Sequence, residues 1–250
     1  MEFILEAADH YVFNQAYAQL NGIKFLEPYI QIHHPAREFF TLFIITLIGG
    51  YILYFAFASI DYYFFFDKSV KNDPKYLKNQ ISKEIFMATW SIPIMVGLTV
   101  PWWWLEIHGY SRIYHNVDDY GVGYMVFSIL AFLFFTDMLI YFIHRAEHHP
   151  SVYWWLHKPH HLWKVSTPFA SHAFHPLDGY AQSVPYHLFV FCFPMHSTLY
   201  LVMFALVNFW TISIHDRIYL TKASFFNGAA HHTVHHSDFN YNYGQYFTFW

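Results

Sequence analysis

Phe39 to Phe66 is an almost unbroken apolar run whose one charged residue is Asp61. At about 1.5 Å per helical residue it is long enough to cross the roughly 30 Å hydrocarbon layer of a bilayer with some tilt. Asp67 to Glu84 is polar and carries Lys68, Lys71, Lys75, Lys78 and Lys83, after which Ile85 to Leu105 is apolar again. This second predicted span contains Pro93 and Pro101, which should kink it, and ends in Trp102 to Trp104, an aromatic group suited to the headgroup level. A polar turn with Arg112, Asp118 and Asp119 leads to the third span, Tyr124 through Phe142, which runs directly into His144.

Ser183 to Ile214 is a further apolar stretch of 32 residues, interrupted by Pro185, Pro194 and His196. Two full crossings would need about 40 residues, so the expectation is a short hairpin that enters the membrane and returns to the same side. The predicted fold class is therefore an all-α integral membrane protein with about three spanning helices, a short membrane hairpin and a helical, histidine-rich module. It reads as one membrane domain over 1–250. Within it, 1–38 is an N-terminal segment, 39–142 holds the spanning helices, and 143–250 is a catalytic region containing the hairpin 183–214.

Composition agrees with this reading. Only 12% of residues are charged while 56% are hydrophobic, and the charged share is about half that of soluble domains. No basic stripe exists to neutralise phosphates, so nucleic acid is not an expected partner. Met1 to His10 lacks a basic start followed by an apolar core, so no cleaved signal peptide is expected and the first span should direct membrane insertion. The single cysteine, Cys192, sits in the apolar run Phe189 to Phe193 and reads as a small buried hydrophobe; no disulfide framework can form within the chain.

The basic residues divide unevenly. If the loop with the five lysines faces the cytosol, so do Arg145, Lys158, Lys164, Arg217 and Lys222, leaving Lys24, Arg37 and Arg112 opposite. This is the positive-inside asymmetry, and it puts the histidine-rich segments in the cytosol.

Histidine is the anomaly: of 20 in the chain, 15 fall between His144 and His236. Three clusters stand out, HRAEH at His144 to His148, HKPHH at His157 to His161, and HTVHH at His232 to His236. Residues three and four apart share a helix face, so HxxxH and HxxHH each aim two or three imidazoles at one point. One HxxxH is weak, because surface helices carry chance pairs. Three clusters beside a membrane are another matter, since unpaired polar side chains there are costly. The candidate ligands are His144, His148, His157, His160, His161, His232, His235 and His236; eight exceed the four of a closed zinc site, so two metal ions are expected.

His149 adjoins His148, and His231 stands four residues before His235; His148 and His232 are preferred because they keep the spacing. His215, His175, His172 and Asp137 are candidate additional ligands or partners that orient a ligating imidazole. Asp178 and Asp216 lie near the clusters and could do the same, or could serve as caps or ion-pair partners. His10, His33, His34, His108 and His115 fall on the opposite side and read as structural.

HRAEH also matches the inverted zincin pattern, with Glu147 as the water-activating base. A zinc peptidase would leave both HxxHH clusters without a purpose. A metal transporter would carry its histidines inside the spans rather than outside them.

The strings HKPHHLWKVSTPFASHAFHPLDGYAQSVPYH, VNFWTISIHD, NGAAHHTVHH and NYNYGQYFT resemble the sterol C5-desaturase branch of the fatty acid hydroxylase superfamily over roughly Tyr141 to Phe249. LEAADHYVF, FDKSV and YLKNQ are similar to its fungal members. The chain departs from the pattern at Arg217, where a glycine commonly follows IHD, at His231, often cysteine in fungal members, and in stopping at Trp250 before a DR-x-GG segment.

The resemblance implies an endoplasmic reticulum enzyme, multi-pass with cytosolic histidine boxes, that introduces the C5=C6 double bond into a Δ7-sterol. It implies two iron ions in a non-haem di-iron centre, O2, and electrons from NADH through cytochrome b5 and its reductase. The eight box histidines carry over by position as the iron ligands. A related sterol methyl oxidase or lipid hydroxylase on the same scaffold, and a catalytically silent membrane protein, are the alternatives at this stage.

Overall fold

Three long helices carry the predicted spans, each starting before the apolar run that marks it: α3 (Pro35–Phe64), α4 (Gln80–Ile107) and α5 (Gly121–Glu147). They follow two short N-terminal helices, α1 (Glu2–Ala8) and α2 (Asn14–Ala18). After them come α6 (Pro150–Leu156), α7 (Pro176–Cys192), α8 (Ser197–Ser213) and α9 (Ala229–Asp238). The computed structural model describes residues 1–219 and 223–250; Lys222, assigned above to the histidine side, lies outside the described residues. All three long helices are long and apolar enough to cross a membrane.

His-Pro dipeptides set three helix starts. At His34-Pro35, His149-Pro150 and His175-Pro176 the proline takes the first helical position, where no N–H is needed. The preceding Nδ1 accepts an orphan backbone N–H: from Ala36 at 3.1 Å, Ser151 at 3.3 Å and Leu177 at 3.3 Å.

α7 and α8 form the expected hairpin, 17 residues each, joined at Phe193 to His196. α7 starts earlier than the apolar run because Pro176 to Gln182 contains Asp178, Gly179 and Gln182. These residues hide the first two turns from hydropathy but not from the His175 cap. Its turn pairs in parallel with the loop between α4 and α5, Ile113 with Met195 and Tyr114 with His196, so the hairpin reaches the far end of the bundle. Both arms then return to the level of His144, which brings Asp178 and His215 there.

Two sequence expectations are corrected. Trp103 is buried in the bundle and not free to anchor at the headgroups, while Trp102 and Trp104 are half-buried. Trp103 is 2% exposed and packs edge-on against His187, Trp102 Nε1 donates to Tyr180 Oη at 3.0 Å, and Trp104 Nε1 donates to Glu38 Oε2 at 2.9 Å. Consecutive helical residues point about 100° apart, and α4 packs against both α3 and α7, which takes up the Trp103 ring fully and one side of its two neighbours. Cys192 is exposed, not buried. An apolar residue of a membrane protein need not face the interior, since the lipid is as apolar as the core.

The segment Trp163 to His175 is tied to the bundle by buried polar bonds. Gln80 Nε2 donates to Val165 O at 2.7 Å, Thr167 Oγ1 to Glu84 Oε2 at 2.5 Å, Tyr54 Oη to Phe169 O at 2.9 Å and Ser91 Oγ to Phe174 O at 2.5 Å. At the other end of the chain, Asp137 accepts from Tyr246 N at 2.6 Å, Phe247 N at 3.4 Å and Trp250 Nε1 at 2.7 Å. The residues after α9 are thereby folded back over the histidine end of α5.

Candidate metal centre

Nine imidazoles from five places in the chain converge where α5 ends. His144 lies in the last turn of α5 and His148 caps it, on one face four residues apart. His157 caps α6, and His160 and His161 occupy the 3₁₀ turn that follows. His215 sits just beyond α8, and His232, His235 and His236 share one face of α9.

The rings sort into two adjoining groups. In each, one ligand-capable atom per residue lies within 4.8 Å of all the others: His144, His148, His157, His161 and His235 in the first, His160, His215, His232 and His236 in the second. The groups touch through His161 and His236, whose ring centroids are 5.0 Å apart.

The outward nitrogens are committed to acceptors. His144 Nδ1 contacts Tyr243 O at 3.0 Å, His235 Nδ1 contacts Tyr241 O at 2.7 Å, His215 Nδ1 contacts Thr211 O at 2.7 Å, and His157 Nδ1 contacts Asp178 Oδ2 at 2.8 Å. A carbonyl or carboxylate only accepts, so each Nδ1 carries the hydrogen and each Nε2 of the neutral ring is a bare lone pair. These Nε2 atoms then face one another: His144 and His157 at 3.0 Å, His161 and His157 at 3.1 Å, His232 and His215 at 2.9 Å, His236 and His232 at 3.1 Å.

Where both partners hold their hydrogen at Nδ1, as His144 and His157 do, no hydrogen lies between the nitrogens and the lone pairs repel. A cation between them removes the conflict. The donor set fits such an ion, because imidazole suits iron, zinc, copper or nickel, and five and four nitrogens fill two coordination spheres.

The electrostatics keep the rings in the ligating form. Burial, followed by the neighbouring imidazoles, pushes His160, His161, His232 and His236 well below the usual histidine range. Burial pushes His215 down to about 4, and burial with the neighbouring His157 pushes His148 down to about 3. At neutral pH these rings carry no proton that a metal would have to displace.

The other candidates lie elsewhere. His149 and His175 are helix caps, and Asp137 bonds the C-terminal backbone, seven residues away from His144 along α5. His231 lies outside both groups, and its carbonyl accepts from Asn242 Nδ2 at 3.0 Å. Asp216 Oδ1 accepts from Ile218 N at 2.6 Å, and burial raises its carboxyl to about 7. His172 is pushed down to about 4 by burial and bonds Asn208 rather than a ligand. Glu147 is buried on the Nδ1 side of His157, 3.9 Å from that atom. That side faces away from the converging nitrogens, where a peptidase base would have to stand. Sequence reasoning missed the carbonyls of Thr211, Tyr241 and Tyr243, which no side-chain pattern marks.

A cavity of about 340 Å³ opens from the histidines into the bundle, within the range of small-molecule sites. His144, His160, His215 and His232 close one end. Ile92, Met95, Val96, Tyr186 and Phe204 line the middle, and Trp103, His187 and Leu201 lie deep. Gly179 forms part of the wall, and a methyl group there would strike the Phe174 ring. Along α8, Leu201 to His215 is about 21 Å of helix rise, a length suited to an elongated lipid.

The family model described as fatty acid hydroxylase matches residues 129–250. The chain is 48% identical to lathosterol oxidase of Mus musculus, an alignment covering 100% of this chain and 83% of that protein. It is 55% identical to the delta(7)-sterol 5(6)-desaturase of Candida dubliniensis and 50% to that of Saccharomyces cerevisiae. Each of these covers 86% of this chain, and 56% and 59% of the relative. No solved structure matches it.

Proposed function

This chain belongs to the sterol C5-desaturase branch of the fatty acid hydroxylase family, and on that footing we propose that it forms the C5=C6 double bond of a Δ7-sterol in ergosterol-type sterol synthesis. In this reading the chain is one membrane domain over 1–250 in the endoplasmic reticulum membrane. Two iron ions are held by His144, His148, His157, His161 and His235, and by His160, His215, His232 and His236. The observation that carries the metal assignment is the 3.0 Å approach of His144 Nε2 to His157 Nε2, with both ring hydrogens already placed at Nδ1.

Bound iron would supply O2 activation and the one-electron steps of the oxidation, with electrons from NADH delivered through cytochrome b5 and its reductase. The two hydrogens lost by the sterol and the two reducing equivalents from NADH leave with O2 as two waters.

The protein's own part is positional. Asp178 and the carbonyls of Tyr243, Tyr241 and Thr211 fix ring orientation and tautomer. The apolar wall of Ile92, Met95, Val96 and Phe204 holds a flat hydrocarbon skeleton and keeps water from it. Arg145, Lys158, Lys164 and the five loop lysines support a cytosolic histidine face, and their charge suits an acidic electron carrier.

Expression in a strain lacking sterol C5-desaturation tests this reading. The expected result is restored Δ5,7-sterol with the intact chain and none with His160→Ala. Unconverted Δ7-sterol with the intact chain expressed, or product made equally well by His160→Ala, rejects it.

A further inference from the structure

A polar pair lies at the end of the cavity remote from the metal centre, and neither residue belongs to the ligand set. Trp103 Nε1 on α4 and His187 Nε2 on α7 are both buried without a hydrogen-bond partner among the described residues. Trp103 is 2% exposed and His187 1%, their rings meet edge to face with centroids 4.9 Å apart, and both residues line the cavity. Trp102 stacks on His187 at 6.1 Å and Phe204 lies 5.6 Å from it, so the imidazole is held in place.

The chemistry of the pair specifies its ligand. An indole N–H only donates. His187 Nδ1 shares a hydrogen with Tyr200 Oη at 3.2 Å, so Nε2 is a donor if the phenol gives that hydrogen and an acceptor if the imidazole does. A hydroxyl group meets both cases, because its oxygen accepts from Trp103 and the group either accepts from His187 or donates to it. Leaving two such nitrogens unpaired within a membrane bundle is costly, and a ligand hydroxyl removes that cost.

The position decides which oxygen this is. The bond that a C5-desaturase oxidises lies next to the hydroxyl-bearing ring, near one end of a sterol, and the histidines close one end of the cavity. With C5 and C6 beside the ions, the remaining rings and the alkyl side chain extend toward Trp103 and His187. Along α7, His187 follows Asp178, the partner of His157, by nine residues, about 14 Å of rise. This is the scale of the separation between the second ring of a sterol and the end of its alkyl chain.

We propose that Trp103 and His187 form a subsite for a hydroxyl group near the end of the sterol side chain, which makes side-chain-hydroxylated Δ7-sterols preferred ligands of this cavity. The hydroxyl bonds the two nitrogens while C5 and C6 stay beside the metal centre. This rests on the desaturase reading above and extends it to a further class of sterol.

The test uses the full chain, metal-loaded and in nanodiscs, with a Δ7-sterol and its 25-hydroxy counterpart. Wild type should bind the hydroxylated form about tenfold more tightly and convert both. Trp103→Phe and His187→Phe each keep a ring and lose the hydrogen-bonding nitrogen; each should bring the ratio close to one, with metal content retained. The ratio measured on wild type needs no variant to fold. A wild-type chain that forms the double bond yet binds both sterols alike overturns the side-chain subsite and leaves the desaturase reading standing. A chain that prefers the hydroxylated sterol and forms the double bond in neither supports the subsite and overturns the desaturase reading. A preference that survives both substitutions overturns the proposal, as does a tightly bound hydroxylated sterol left unconverted while the plain one reacts.

Discussion

His144 and His157 bring their Nε2 atoms to 3.0 Å while the Nδ1 atoms behind them are held by Tyr243 O and Asp178 Oδ2. The pair comes from the end of α5 and the end of α6, and its repulsion in the metal-free state is the reason a cation is expected between the rings. Asp178 holds one of the two tautomers. Asp178→Asn should therefore weaken metal retention by about 10- to 100-fold, read as metal content after dialysis against a graded chelator. Retention equal to wild type would show that the carboxylate does not orient His157.

Acidification should unfold the metal-free chain. His148 near 3, His172 and His215 near 4, and His160, His161, His232 and His236 pushed well down bind fewer protons folded than unfolded. Their folded pKa values lie below the unfolded value near 6.5, so stability is lost as pH falls through about 6.5 and continues to fall toward about 4. Asp216, raised to about 7, acts in the opposite direction because it gains a proton more readily when folded. The histidines pushed down outnumber the carboxyls pushed up. The melting temperature of metal-free protein should be lower at pH 5 than at pH 7; a higher value at pH 5 contradicts the neutral-imidazole picture.

His175 and His160 look alike in sequence and should behave differently. His175→Ala removes the acceptor for Leu177 N and should cost about 1 kcal/mol of stability, with metal content unchanged. His160→Ala removes a donor from the four-histidine group and should lower bound metal. Elemental analysis of both purified variants decides between cap and ligand for each.

Asp137 holds Tyr246, Phe247 and Trp250 to α5. Asp137→Ala leaves buried donors unpaired and should cost about 3 kcal/mol. It should also loosen the Tyr241 and Tyr243 carbonyls that face His235 and His144. Limited proteolysis should then cut after α9 faster than in wild type, with a parallel fall in metal retention. An unchanged cleavage pattern would separate the C-terminal segment from the site.

Arg217 has φ 63, in the left-handed region. Glycine enters this region without the Cβ penalty, so Arg217→Gly should raise stability by about 1 kcal/mol. Thermal unfolding in detergent gives the answer, and a decrease would mean that the arginine side chain makes a contact worth more than the strain.

Much of this architecture was legible because it is local. Runs of apolar residues locate α3, α4 and α5 wherever the rest of the chain goes, and spacings of three and four put His232, His235 and His236 on one face of α9. The His-Pro dipeptides carried a second local signal, a cap followed by the first helical residue, which marks His149 and His175 as helix starts. Where the local signal was silent, the reading erred. Trp102 to Trp104 looked like an interfacial belt, and Cys192 looked buried, because hydropathy reports apolarity and not which neighbour satisfies it.

The sequence by itself determined that the chain crosses a membrane and that imidazoles gather in a set too large for one ion, since both follow from residue type and short-range periodicity. Tertiary structure decided which imidazoles join, bringing His215 in and leaving His172, His175 and Asp137 out. It also decided which nitrogen of each ring is free. Those choices depend on carbonyls and carboxylates far away in the chain, such as Tyr243 meeting His144 across 99 residues. Only the packed hairpin and the folded-back C-terminal segment bring them within hydrogen-bond distance.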